Sequence, residues 1–423
     1  MKLNVLILTL LCSACTPLAQ SSAISDSNPK ALKLIDKAYE SQVKTILLYP
    51  ISHPLAPAVA RLGQNNLVLE FDDLRADLDT YYAKIIHCTY DWQMSTLQDL
   101  DFMKEYNEFP VNTYEFSVDT HIPYVHYSFR IPQVRLPGNY VLVVYRGSNK
   151  EDIILSRRFM VYDTRIEFIN DGKMVGSGAV ADLNQQINFT INYKNLEIQN
   201  PLSDVHVVIR QNQRWDNLAV NVRPSFVREI EKELEYHFFD DDKMFRGGNE
   251  FRFFDLRSIN YPGRNVASVT KTVKPFQVYI AKDKSRQGEA YAQYEDLNGN
   301  FRIDNYDYRN PAFTNYTNVQ FSLQSKPIKG DVFVTGALNY WNLDDQNRMK
   351  YDSAQGIYTA NMLLKQGWYD YQYLVNSPEF NSYLFEGSYF QTENFYEVFV
   401  YYKPFQPHTD LLIGYLKFEE NPR

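Results

Sequence analysis

Along most of this chain, apolar and polar residues alternate one by one rather than recurring every third or fourth position. That alternation marks strands with one buried face. Residues 41–163 carry six such runs: Thr45–Tyr49, Leu67–Phe71, Tyr82–Tyr90, Val125–Arg130, Gly138–Tyr145 and Ile153–Tyr162. Turn-forming clusters at Asn65-Asn66, Pro137-Gly138 and Gly147-Ser148-Asn149 separate them. Six strands at this spacing predict an immunoglobulin-like sandwich, with Gln93–Phe109 as a loop or short helix. Residues 164–312 carry a second set at Ile187–Tyr193, Val205–Gln211, Glu235–Phe239, Phe251–Asp255, Val278–Lys282 and Tyr291–Glu295. Residues 313–405 form a third unit. Its first strand is Val319–Leu323 and its last Tyr396–Tyr402, with alternation through Val332, Val334 and again through Tyr369, Tyr371, Tyr373, Val375. The tail, 406–423, adds one apolar run, Leu411–Leu416, expected as an edge or docking strand. A further helical patch is expected at Ala31–Ala38. The fold class is all-β, with tandem sandwiches.

The N-terminus changes the picture. Met1-Lys2 and the apolar run Leu3–Leu11 have the form of a signal peptide, expected over 1–14. The run is too short to span a membrane, which takes about 20 residues. Ser13-Ala14-Cys15 resembles the end of a bacterial lipobox, with Cys12 where such boxes usually carry Leu. Cys15 is then the lipidated first residue, and 15–40 a lipid-anchored linker; simple cleavage near Ala19 is the rival. Of three cysteines, only Cys88 then remains, so no internal disulfide is available and the core must hold the fold. Cys88 reads as a buried, inert thiol.

Composition and charge narrow the function. A net charge of −8 lacks the basic footprint of a general nucleic-acid binder. The 33 Tyr and 27 Phe suit half-buried strands and protein-contact surfaces. Nucleophile elbows, zinc-protease motifs, phosphate loops and dinucleotide-binding glycine patterns are absent from the sequence. His121 and His126 lack a third ligand nearby. Asp240-Asp241-Asp242 reads as a solvated loop. Asp296-Leu297-Asn298-Gly299-Asn300-Phe301 has calcium-loop oxygens at its first, third and fifth positions. Its glycine is misplaced, however, and position twelve is Asp307, so a hairpin turn at Asn298-Gly299 is favoured over calcium. No enzyme activity, cofactor or metal is expected.

Two resemblances follow. Val332-x-Val334-x-Gly336-x-x-Asn339-x-Trp341, Gly356-x-Tyr358 and Gly367-x-Tyr369-x-Tyr371-x-Tyr373 are similar to the early-set sandwich of starch- and glycogen-binding modules. In that family an exposed aromatic stacks on sugar. The resemblance implies a binding surface at Trp341, Lys365 and Trp368, although Asn376-Ser377 replaces the usual Asp-Gly. Along almost the whole mature chain, the order of elements resembles the plug proteins of the type IX secretion system of the Bacteroidota. The leader, two sandwiches, Tyr294–Phe301, Gly336-Ala-Leu-Asn-Tyr-Trp341 and Leu364-Lys-Gln-Gly-Trp-Tyr369 carry that likeness. It implies a periplasmic, outer-membrane-associated, non-enzymatic subunit that closes a large outer-membrane β-barrel translocon. A glycan-binding envelope lipoprotein is the alternative.

Overall fold

The computed structural model describes residues 30–64, 66–169, 183–237 and 245–421. The first sandwich is built from β1 (Lys37–Ala38), β2 (Val43–Pro50), β3 (Val59–Arg61), β4 (Leu67–Asp73), β5 (Tyr81–Cys88), β6 (Phe109–Val111), β7 (Thr113–Phe116), β8 (Val125–Arg130), β9 (Gly138–Arg146) and β10 (Ile153–Tyr162). One sheet has the order β1-β10-β9-β5-β6, with β3 also on β10; the facing sheet is β2-β4-β8-β7. Leu69 and Phe71 of β4 meet Tyr140, Leu142 and Val144 of β9 between them.

The chain continues through β11 (Glu167–Ile169), β12 (Asn184–Gln185), β13 (Phe189–Asn192), β14 (Val205–Gln211), β15 (Leu218–Ala219), β16 (Phe226–Arg228), β17 (Glu233–Tyr236) and β18 (Phe245–Arg246). Next come β19 (Arg252–Asp255), β20 (Val266–Thr270), β21 (Gln277–Ile280), β22 (Asp283–Lys284), β23 (Phe301–Ile303), β24 (Tyr316–Gln324), β25 (Asp331–Thr335), β26 (Lys350–Asp352), β27 (Ile357–Lys365) and β28 (Gly367–Asn376). The last two are β29 (Asn394–Tyr402) and β30 (Leu411–Glu420).

Their pairing departs from the expected division at 312 and 405. The second sandwich sets β11-β13-β17-β16 against β15-β14-β29-β30. The third sets β19-β28-β23, with β25 also on β28, against β20-β21-β24-β27-β26. The strand expected to close the third unit, 396–402, therefore lies between β14 and β30 in the second. Residues 411–416 lie on an edge strand, as expected: they are part of β30, which ends this sheet of the second sandwich and pairs along the length of β29. The third sandwich is inserted between β18 and β29. The reason lies in burial. Tyr396, Val398 and Val400 of β29 enter the core of the second sandwich, while Phe399 and Tyr401 face the first. A strand apolar on both faces needs a layer on each side.

Sheet β1-β10-β9-β5-β6 is likewise covered twice. Val141 and Val143 of β9 pack outward with Met160 of β10 against Val208, Phe399 and Leu412. The result is a stack of four sheets. At about 10 Å between layers, the stack spans roughly 30 Å between its outer backbones.

Two smaller expectations also change. Ala31–Ala38 is not helical. Leu32 and Leu34 pack as an alternating pair against the seam between the first two sandwiches, and the Leu34 carbonyl accepts from Arg158 Nε at 2.8 Å. Residues 291–295 form no strand. The short helix expected within Gln93–Phe109 is present at Asp99–Phe102.

Candidate functional site

Lys365, at the end of β27, is buried with Asp72 of β4. Its ammonium donates to Asp72 Oδ2 at 2.7 Å and lies 4.1 Å from the ring centroid of Tyr124. Asp72 also accepts from Tyr316 at 2.6 Å and pairs with His126 Nδ1 at 2.7 Å. Burial alone would raise the Asp72 pKa. Lys365, with His126, outweighs burial and holds it below the ordinary carboxylate range. Lys365 therefore joins the third sandwich to the first instead of facing solvent. Two hydrogen bonds to backbone carbonyls reinforce the joint: Val118 N donates to Ala312 O at 2.9 Å, and the Tyr124 hydroxyl donates to Thr314 O at 3.1 Å.

Tyr340 and Trp341 form a second joint. Both sit in the left-handed region, at φ 57° and 61°. Two successive bulky residues there cost about 1–3 kcal/mol each and persist only when surroundings hold them. The Tyr340 hydroxyl accepts from Ile46 N at 3.3 Å, and Arg157 lies 4.9 Å from its ring centroid, both in the first sandwich. Trp341 is buried; Arg214, from the turn after β14, lies 4.4 Å from its ring centroid. The same ring crowds Gly299, where an added Cβ would lie 2.5 Å from Trp341 Cη2. One strained pair thus touches all three sandwiches.

Trp368 is half-buried, stacked on Phe253 with centroids 4.5 Å apart, and its indole donates to Asp370 Oδ1 at 3.1 Å. Trp341, Lys365 and Trp368 are each engaged within the protein, so these positions present no shared sugar-stacking platform. The rest of the run is equally committed. Gln366 donates to Asp307 at 3.1 Å and accepts from Asn315 N at 2.9 Å. Gly367 passes so close to Arg302 that an added Cβ would sit 2.4 Å from its carbonyl oxygen.

Asn298 and Gly299 both have positive φ, with Asn300 N bonded to Leu297 O at 3.1 Å, as in a type I′ turn. The expected turn chemistry is present, but the following strand, β23, pairs with β28 rather than folding back on the segment before the turn. Asp370 receives the Leu297 and Gly299 amides. Burial, with Asp370 and Glu250 nearby, raises Asp296 well above its ordinary pKa. Among the described residues, no cluster of three His, Cys, Asp or Glu could hold a metal. His121 packs on Phe276 with centroids 3.9 Å apart, while His126 serves Asp72. Cys88 is buried, and burial pushes its thiol up to about 12. Cys15, residues 1–29 and Asp240-Asp241-Asp242 lie outside the described residues.

Sequence reasoning missed Asp72 and Arg214. Asp72-Asp73 at the end of an apolar strand was the available signal for the first. Exposed aromatics were also missed: Tyr114 and Phe116 on edge strand β7, with rings edge-on at 5.9 Å, and Tyr306, Tyr308 and Tyr261 on loops of the third sandwich. Tyr308 stacks on Phe313 at 5.2 Å, and Ala312 beside it bonds Val118 just beyond β7, so two of these aromatic groups adjoin across the first joint.

Residues 43–163 match the family model described as the type 9 secretion system plug protein 1st domain. No curated protein matches the chain. Among solved structures, a hypothetical protein from Parabacteroides merdae ATCC 43184 is similar, with 27% identity and a TM-score of 0.86. The match covers 92% of this chain and 100% of that one.

Proposed function

We propose that this chain, which carries the first domain of the type 9 secretion system plug proteins, is a plug subunit on the periplasmic face of the outer membrane. There it closes the large β-barrel translocon when no cargo is passing. The family match over 43–163 carries the reading. That match falls on the sandwich to which both other sandwiches are fastened. The build of the molecule supports it: a stopper for a wide pore must resist deformation, and stacked sheets joined by buried polar contacts are stiff. The exposed aromatics Tyr114, Phe116 and Tyr308 suit a protein contact, where Tyr and Trp anchors supply much of the affinity. The role is structural and non-catalytic. In this reading Cys15 is acylated, which confines the plug to the membrane plane and raises its concentration at the barrel mouth.

The test is copurification from outer membranes in several mild detergents, with photo-crosslinkers at Tyr114 and Phe116. A large outer-membrane β-barrel is expected in the eluate and in the crosslinks. Failure to recover one in any detergent refutes the plug role. Acylation is tested separately with an alkyne fatty acid, which should label the wild type and not Cys15→Ser.

A further inference from the structure

A cleft of about 710 Å³ opens between the start of the first sandwich and the third. Lys37 and Lys44 line one wall; Asn361 and Met362 of β27, with Leu343 and Asp344, line the other. Lys44 sits at a break in its strand. The register of β2 against β4 slips between Lys44 and Leu47, and Thr45 has φ 48°. A β-branched residue there is strained, and bulges of this kind re-aim neighbouring side chains. Among the described residues neither lysine forms an ion pair: Lys37 lies 4.6 Å from the ring centroid of Tyr39. Burial lowers the Lys44 pKa, and the charge of Asp344 offsets this only in part.

The opposite wall offers backbone. β26 pairs with β27 only from Ile357 to Thr359. From Asn361 to Leu363, β27 has β24 as its ladder partner and lines the cleft. A half-paired strand edge is a template for an added strand.

We propose that this cleft binds an extended peptide carrying one carboxylate. The peptide backbone adds to β27 at Asn361–Leu363, and its carboxylate is held by Lys44 and Lys37. Asp344 and Asp345, which also line the cleft, disfavour polyanions. The cleft volume is in the range of small-ligand pockets, enough for a few residues. The inference stands independently of the plug reading.

The experiment uses the full mature chain, immobilised, and two pools of N-acetylated random hexapeptides, one with free C-termini and one amidated. Retained peptides are sequenced by mass spectrometry. Enrichment of the free-carboxylate pool is expected. It should fall about tenfold or more in Lys37→Gln/Lys44→Gln, which removes both charge-assisted contacts to the carboxylate. Near-ultraviolet circular dichroism should show that the variant keeps its packing. Enrichment of Asp- or Glu-containing peptides in the amidated pool, with the same loss, supports the site and assigns the carboxylate to a side chain. Equal retention by wild type and variant, or no enrichment in either pool, overturns the proposal.

Discussion

Removing the ammonium of Lys365 is the sharpest test of how the third sandwich is held. Asp72 is fully buried and Lys365 nearly so, with 2.7 Å between their charged atoms. Lys365→Met keeps the stem volume but strands a buried carboxylate, which retains only Tyr316 and His126. Breaking a buried pair from one side costs about 3–5 kcal/mol, mostly the desolvation of the charge left behind. Asp72→Asn in the same background removes that charge and should restore all but about 1–2 kcal/mol. Urea unfolding followed by tryptophan fluorescence is a suitable assay, because Trp92, Trp215 and Trp341 all lie at seams between sandwiches. At about 3 kcal/mol per molar urea, Lys365→Met should lower the seam midpoint by roughly 1 M, and the double variant should recover most of it. If Lys365→Met lies within about 0.5 kcal/mol of wild type, or the two changes simply add, the pair does not hold the joint.

Acid should open the molecule at the two buried carboxylates Asp72 and Glu386. Both titrate below their ordinary values in the fold. Glu386, buried in the third sandwich, accepts from Arg252 and Arg286, whose charges outweigh burial and hold it at about 2. A depressed carboxylate stabilises fully above its unfolded pKa and is lost as pH falls through the folded one. Stability should therefore decline from about pH 4 toward pH 2, with Glu386 alone contributing about 3 kcal/mol; flat stability over that window contradicts the assignment. Gly367→Ala should destabilise by about 1–3 kcal/mol in denaturant titration, since the new methyl has no room beside the Arg302 carbonyl; a neutral change would mean that strands β23 and β28 can part there. The Cys88 thiol should ignore maleimide in the native protein and react once it is unfolded, because burial keeps it protonated; prompt native labelling would place it at the surface.

Much of the strand content was legible because period-two alternation is local. Val125–Arg130, Ile153–Tyr162 and Val205–Gln211 fall where the pattern put them. Partnership was not legible. Alternation shows that β29 has a buried face, but not that its second face is covered by another sandwich. Proximity in sequence assigned it to the third sandwich, although its hydrogen bonds run to β14, nearly two hundred residues earlier. The Ala31–Ala38 patch failed for a related reason: Ala31, Leu34, Ile35 and Ala38 fit a helical face while Leu32 and Leu34 fit a strand face, and the neighbouring sheet decided between them. At the candidate site, Lys365 and Trp368 of the Leu-Lys-Gln-Gly-Trp-Tyr run stood out in the sequence as a possible binding surface. Their chemistry was read outward as ligand contact because their partners, Asp72, Asp307 and Phe253, are distant in sequence. A buried lysine and a ligand-binding lysine look the same until the carboxylate opposite is known.

The insertion of one sandwich inside another also sets an order of assembly. A chain delivered from its N-terminus can finish the first sandwich by residue 162, and the third by residue 376. The second stays half-built throughout, with β14 lacking its neighbour until Asn394–Tyr402 arrives. The outer face of β9 waits equally long for Phe399 and Leu412. Closure of the molecule is thus a single late event that depends on its final thirty residues. A chain cut at residue 393 would keep its two ends folded and leave its middle open, with two apolar sheet faces exposed to whatever reaches them first.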